Sequence, residues 1–103
     1  MKLQITDQQL NLQLKRDEIE DLKEGFPLSV NVSFGLALAP FSCELKACYD
    51  DGLYSVDFSK GTISIKAPMA LVSAWADTES NSLEFNIRTE ARETLGVIIE
   101  KAY

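Results

Sequence analysis

The sequence predicts an α+β domain, predominantly antiparallel β, with about eight strands and two short helices. Its order of elements is strand-strand-helix-strand-strand, written twice, and its sheets should form a barrel or a sandwich. Three observations predict this. Apolar and polar residues alternate with a period of two along most of the chain, the mark of strands that bury one face. Only two stretches replace that alternation with helical spacing. Finally, the strand faces carry far more apolar side chains than two short helices can cover, and exposed apolar area costs about 25 cal/mol per Å². The apolar faces must therefore bury largely one another.

LQI at 3–5 and LNLQL at 10–14 alternate as strands, with Asp7, Gln8 and Gln9 turning between them. KRDEIEDLKEG at 15–25 has Ile19 and Leu22 three apart, acids early and Gly25 at its close, which is the pattern of a surface helix. From Leu28 the alternation runs through Val30, Val32, Phe34, Leu36 and Leu38. It then changes phase, with Phe41, Cys43, Leu45, Ala47 and Tyr49 at odd positions. A hairpin turn falls either near Ala39 and Pro40 or earlier, at Gly35. Asp50, Asp51 and Gly52 make the next turn. Tyr54, Val56 and Phe58 form one face of a strand, and SKGT at 59–62 turns into a return strand with Ile63 and Ile65. Pro68 suits the first position of a helix over about 68–77, where Leu71 pairs with Trp75 and Val72 with Ala76. Leu83, Phe85 and Ile87, then Leu95, Val97 and Ile99, complete the strands.

The chain is one domain, residues 1–103, within which halves 1–50 and 53–103 echo each other about a pseudo-twofold. LQLK at 12–15 overlays ISIK at 63–66, VNVSF at 30–34 overlays LEFNI at 83–87, and ELKACY at 44–49 overlays IIEKAY at 98–103. Amphipathic strands resemble one another through physics alone, so the matched order of elements carries more weight than the matched letters.

Hydrophobic residues at 46% and charged residues at 25% are ordinary for a folded domain and argue against extended disorder. Ten Lys and Arg against sixteen Asp and Glu give a net charge of −6, which repels phosphate and disfavours nucleic-acid or anionic-membrane binding. No apolar run approaches the roughly 20 residues of a membrane span. MKLQITDQQ has no apolar core of a signal peptide, so the cytoplasm is the expected location.

MKLQI at the start, LQLK before the acidic helix, WADT at 75–78 followed by SLEF, and IIEKAY at the end resemble a family of small bacterial proteins of unknown function. The resemblance spans nearly the whole chain and is weakest over residues 35–43. It implies a bacterial origin and a shared plan, and it transfers no activity and no catalytic residue.

Residue chemistry offers few sites. Histidine is absent, which removes the commonest general base and most zinc and haem ligation. No glycine-rich phosphate loop occurs. Asp50, Asp51 and Asp57 lack the spacing of a calcium loop. Cys43 and Cys48 are five apart on one strand and point to opposite faces, so they neither bond to each other nor share a metal. No catalytic residue, metal ligand or cofactor is assigned. Trp75, beside Asp77 and Glu79, would either stack a ligand at a pocket mouth or join Leu71 in closing the end of the barrel. Lys101 follows Val97 and Ile99 inward, as an anion-binding or Schiff-base group or as a side chain reaching back to water. With Tyr54 and Tyr103 these would wall a ligand site at the barrel mouth.

GLALAPF at 35–41 is uncharged, and its Leu36, Leu38 and Phe41 either fold over the core or meet another chain. Three readings of function follow. The first is a non-catalytic domain acting through protein contact, as a homodimer using Leu36, Leu38 and Phe41. The second is a small-molecule binder or enzyme at the barrel mouth. The third is an acidic inhibitor of a nucleic-acid-binding protein, which requires most of the acids on one surface.

Overall fold

The computed structural model describes residues 1–35, 40–49, 53–88 and 93–103. Along the chain come β1 (Lys2–Thr6), β2 (Gln9–Leu14), α1 (Arg16–Lys23), β3 (Leu28–Val32), β4 (Phe41–Cys48), β5 (Ser55–Ser59), β6 (Thr62–Pro68), α2 (Met69–Ala76), β7 (Ser82–Arg88) and β8 (Thr94–Lys101). The strands form two four-stranded sheets, β1-β2-β8-β7 and β3-β4-β6-β5. Of the two predicted arrangements the barrel is not formed: each sheet is open and keeps two edge strands among the described residues.

Four ladders are antiparallel, and the two central ones, β2 with β8 and β4 with β6, are parallel. A parallel pair needs a long connection, and here each joins strands from opposite halves of the chain. Leu12 stands opposite Ile99 in the first sheet, and Leu45 stands opposite Ile65 in the second.

Each sheet turns one face into a single core. The first contributes Leu10, Leu12, Leu14, Phe85, Val97 and Ile99, and the second Leu28, Cys43, Leu45, Ala47, Ile63, Ile65 and Ala67. Ile19 and Leu22 of α1 and Met69, Val72 and Trp75 of α2 join the same cluster. The sheets meet directly where Tyr54, just before β5, stacks on Phe85 of β7 with ring centroids 3.9 Å apart and planes 16° from parallel. No polar or charged residue is buried among the described residues.

Helix α1 begins where the Lys15 N–H donates to Glu18 Oε1 at 2.9 Å. It stops at Gly25, whose φ of +93° lets its own N–H reach Leu22 O and the Phe26 N–H reach Asp21 O. This is the paired bonding of a Schellman ending, and it satisfies carbonyls that the last turn leaves free.

Helix α2 departs from expectation in two ways. Pro68 ends β6, extended and opposite Cys48, so the helix starts at Met69. Leu71 is exposed while Met69, Val72 and Trp75 are buried, because the buried stripe runs through steps of three.

The long strand expected from Leu28 ends at Val32, opposite Phe41. Antiparallel pairing about that register sets even positions of β3 against odd positions of β4, and this is the physical origin of the phase change in the sequence. Gly35 has a φ of +127°. Leu36 and Leu38 lie outside the described residues, as do the expected turn at Ala39 and the turn residues Asp50 to Gly52.

Candidate functional site

The most unusual surface is apolar and lies at the end of the second sheet away from the helix connections. Ladder partners share a face, so Val32 and Phe41, and likewise Phe58 opposite Ile63, stand on the side of the sheet that carries the core. Phe41 packs against the core. Val32 and Phe58, on the two edge strands, remain 40% and 65% exposed, and Phe34, two residues beyond Val32, is 61% exposed. Alternation places these side chains on the correct face, but it carries no information on how far the opposing sheet reaches. A one-sided strand pattern therefore reads Phe58 as buried when the structure leaves it open.

The residues expected to wall a ligand site are only partly brought together. Trp75 is buried, and Lys101 Nζ sits 5.3 Å above its ring centre. The same ammonium donates to the carbonyl of Thr78 at 2.6 Å, while Thr78 Oγ1 donates to Trp75 O at 2.8 Å. Lys101 thus completes the C-terminal turn of α2, where carbonyls lack helical partners and a cation is favoured. Trp75 Nε1 is buried with no hydrogen-bond partner among the described residues.

Tyr54 is elsewhere, stacked on Phe85, and burial pushes its phenol pKa up. Tyr103 lies on the surface beneath the Arg16 guanidinium, 4.3 Å from the ring centre. Because the sheets do not close, the barrel mouth required by the ligand reading is not part of this fold.

Two surface cavities stand out among the described residues, and none of Trp75, Tyr54, Tyr103 or Lys101 lines either. One, of about 310 Å³, has Asp7, Gln8, Glu84, Asn86 and Thr94 around Gly96. Its floor is stitched by the Gly96 N–H, which donates to Gln8 O at 2.8 Å, and by Gln8 Nε2, which donates to Thr94 O at 3.4 Å. A Cβ at Gly96 would meet Asn86 Oδ1 at 3.4 Å, an ordinary van der Waals contact, so the strand has room for a small side chain there.

The other cavity, of about 360 Å³, lies beside Lys2, Gln13, Lys15 and Glu18. There the Met1 ammonium bonds Glu18 Oε2. Burial raises the Glu18 pKa, but the Lys15 N–H and the ammonium together outweigh it and hold the carboxyl below its ordinary value.

Cys43 and Cys48 are both free thiols. Cys43 is fully buried, and burial pushes its thiol pKa up to about 11, so it is a packing residue rather than a nucleophile at neutral pH. Among the described residues no group of three His, Cys, Asp or Glu is placed to hold a metal ion. No described helix is long and apolar enough to cross a membrane.

With the geometry assembled, comparison with known proteins gives one result. Residues 1–103 match the family described as Family of unknown function (DUF7009). The chain belongs to that family. No curated protein and no solved structure matches it. The expected likeness to a family without an assigned activity is thus met along the full match, including the region around Phe41 where the resemblance was weakest. Family membership supplies no ligand and no reaction, so the surface has to be read from its own chemistry.

Proposed function

We propose that this protein is a non-catalytic domain that works through protein contact, associating with a second copy of itself through the apolar end of the second sheet. The observation that carries this reading is the exposure of Val32, Phe34 and Phe58 around the half-buried Phe41. Large apolar groups left together in water mark an interaction surface. The sequence between Val32 and Phe41 is uncharged and includes Leu36 and Leu38, which fits an apolar contact in a chain of net charge −6. That a small family of this kind is bacterial and cytoplasmic belongs to the same proposal.

The pseudo-twofold repeat is part of it as well. Matching β1 to β5, β2 to β6, β3 to β7 and β4 to β8 converts one sheet order into the other, which supports an origin by duplication.

Light scattering at high micromolar concentration tests self-association. A dimer that Phe34→Ser with Phe58→Ser reduces to monomer, with unchanged circular dichroism, is the expected result. A wild-type monomer under those conditions overturns the proposal.

A further inference from the structure

We infer that the two copies join edge to edge through β3, in antiparallel register about a twofold axis, so that the second sheet becomes one continuous eight-stranded sheet across the dimer. This rests on the self-association proposed above and specifies its geometry.

The four strand edges differ in how they are protected. An unpaired edge strand offers free backbone N–H and C=O groups to any other strand, and proteins block it with charge, proline or a covering element. In the first sheet the edges are β1 and β7, in the second β3 and β5. β1 carries Lys2, β5 carries Asp57, and β7 carries Glu84 and Arg88. β3, Leu-Ser-Val-Asn-Val, carries neither charge nor proline, and it pairs with β4 alone among the described strands. The contrast with β7 is informative, because β7 occupies in the first sheet the place that β3 occupies in the second. One is protected by charge on its outer face, while the other shows exposed Ser29 and Asn31 at the corresponding face.

The occupant follows from charge and from self-complementarity. Two copies of net charge −6 repel over most of their surfaces, and β3 is an edge where they can approach without setting like charges together. Pairing centred on Val30 sets Leu28 opposite Val32 of the second copy, and Ser29 opposite Asn31. Apolar meets apolar on the core side and polar meets polar on the water side, as an isologous contact demands. The exposed Val32, and Phe34 just beyond it, then lie beside the junction and gain cover from it.

Sedimentation equilibrium on the full chain tests this with three variants. Ser29→Lys with Asn31→Lys sets ammonium groups opposite each other across the axis while reducing the net charge, so general repulsion cannot explain a loss of dimer. The expected result is at least a tenfold weaker dimer with unchanged Trp75 fluorescence. Ser29→Gln with Asn31→Gln should remain dimeric. If the lysine pair leaves the dimer intact while Phe34→Ser with Phe58→Ser dissociates it, edge pairing is overturned and self-association stands. A wild-type monomer removes both.

Hydrogen exchange on the wild type provides a check that requires no variant to fold. Amides in residues 28–32 should exchange more slowly at high than at low protein concentration, and equal rates would overturn the inference.

Discussion

Cys43 shows how much a single position contributes here beyond its volume. It stands between Val30 and Ile63 on the core face, and its raised pKa means that the folded protein holds the thiol proton more tightly than the unfolded chain does. Folded molecules then bind more protons than unfolded ones between about pH 9 and pH 11, so stability falls as pH rises through that window. The loss attributable to Cys43 should be about 2 to 3 kcal/mol, read as a narrowing gap between wild type and Cys43→Ala in denaturant titrations. Tyr54 shifts in the same direction but is common to both proteins, so the comparison isolates the thiol.

Glu18 works in the opposite sense. Its lowered pKa contributes stability that is present above the ordinary carboxylate range and is lost as pH falls through the folded value. Glu18→Gln should cost about 1 kcal/mol at pH 7, and that difference should vanish in strong acid. Neither residue announces itself in the sequence as more than an apolar-face cysteine and a helix-start acid. Their behaviour comes from neighbours brought in by the fold.

At the scale of elements, the sequence is a good guide wherever local chemistry decides. Ile19 and Leu22 with Gly25 mark α1 to within a residue or two at each end, and SKGT marks the turn that Lys60 and Gly61 make with φ of 53° and 80°. Two positive φ values at the centre of a two-residue hairpin are the geometry that asparagine followed by glycine favours. Lys60→Asn should therefore raise stability by a few tenths of a kcal/mol, measured as an increase in Tm.

The two turn glycines separate conformation from space. Gly25→Ala meets open space and should cost about 1 kcal/mol for its backbone angle alone. Gly61→Ala incurs the same strain and also drives a Cβ to 2.8 Å from the Pro40 carbonyl oxygen, so its loss should be larger, about 2 kcal/mol or more. Side-by-side unfolding curves of the two variants check the order. Where neighbours decide instead, local pattern misleads: Leu71 is apolar and correctly spaced from Trp75, yet it faces water because α2 buries the stripe through Met69 and Val72.

Strand order lies beyond what a single sequence can convey, because period-two alternation fixes a face and is blind to which strand lies next. The arrangement that results is interleaved: each sheet takes one antiparallel pair from the first half of the chain and one from the second, and within the sheets the halves are joined by the parallel ladders β2 with β8 and β4 with β6. Neither half can build a four-stranded sheet by itself. A two-stranded ribbon is marginal in water. Residues 1–50 alone would also leave Leu12, Leu14 and Leu45 without the facing Ile99, Lys101 and Ile65.

Cutting the chain between residues 50 and 53 therefore gives a sharp expectation. Neither fragment 1–50 nor fragment 53–103 should melt cooperatively as a monomer, whereas an equimolar mixture should regain the circular dichroism and the buried-tryptophan emission of the intact protein. A fragment that folds alone as a monomer would mean that hairpin and helix suffice without the parallel ladders, and the interleaved core would then not be what holds this molecule together.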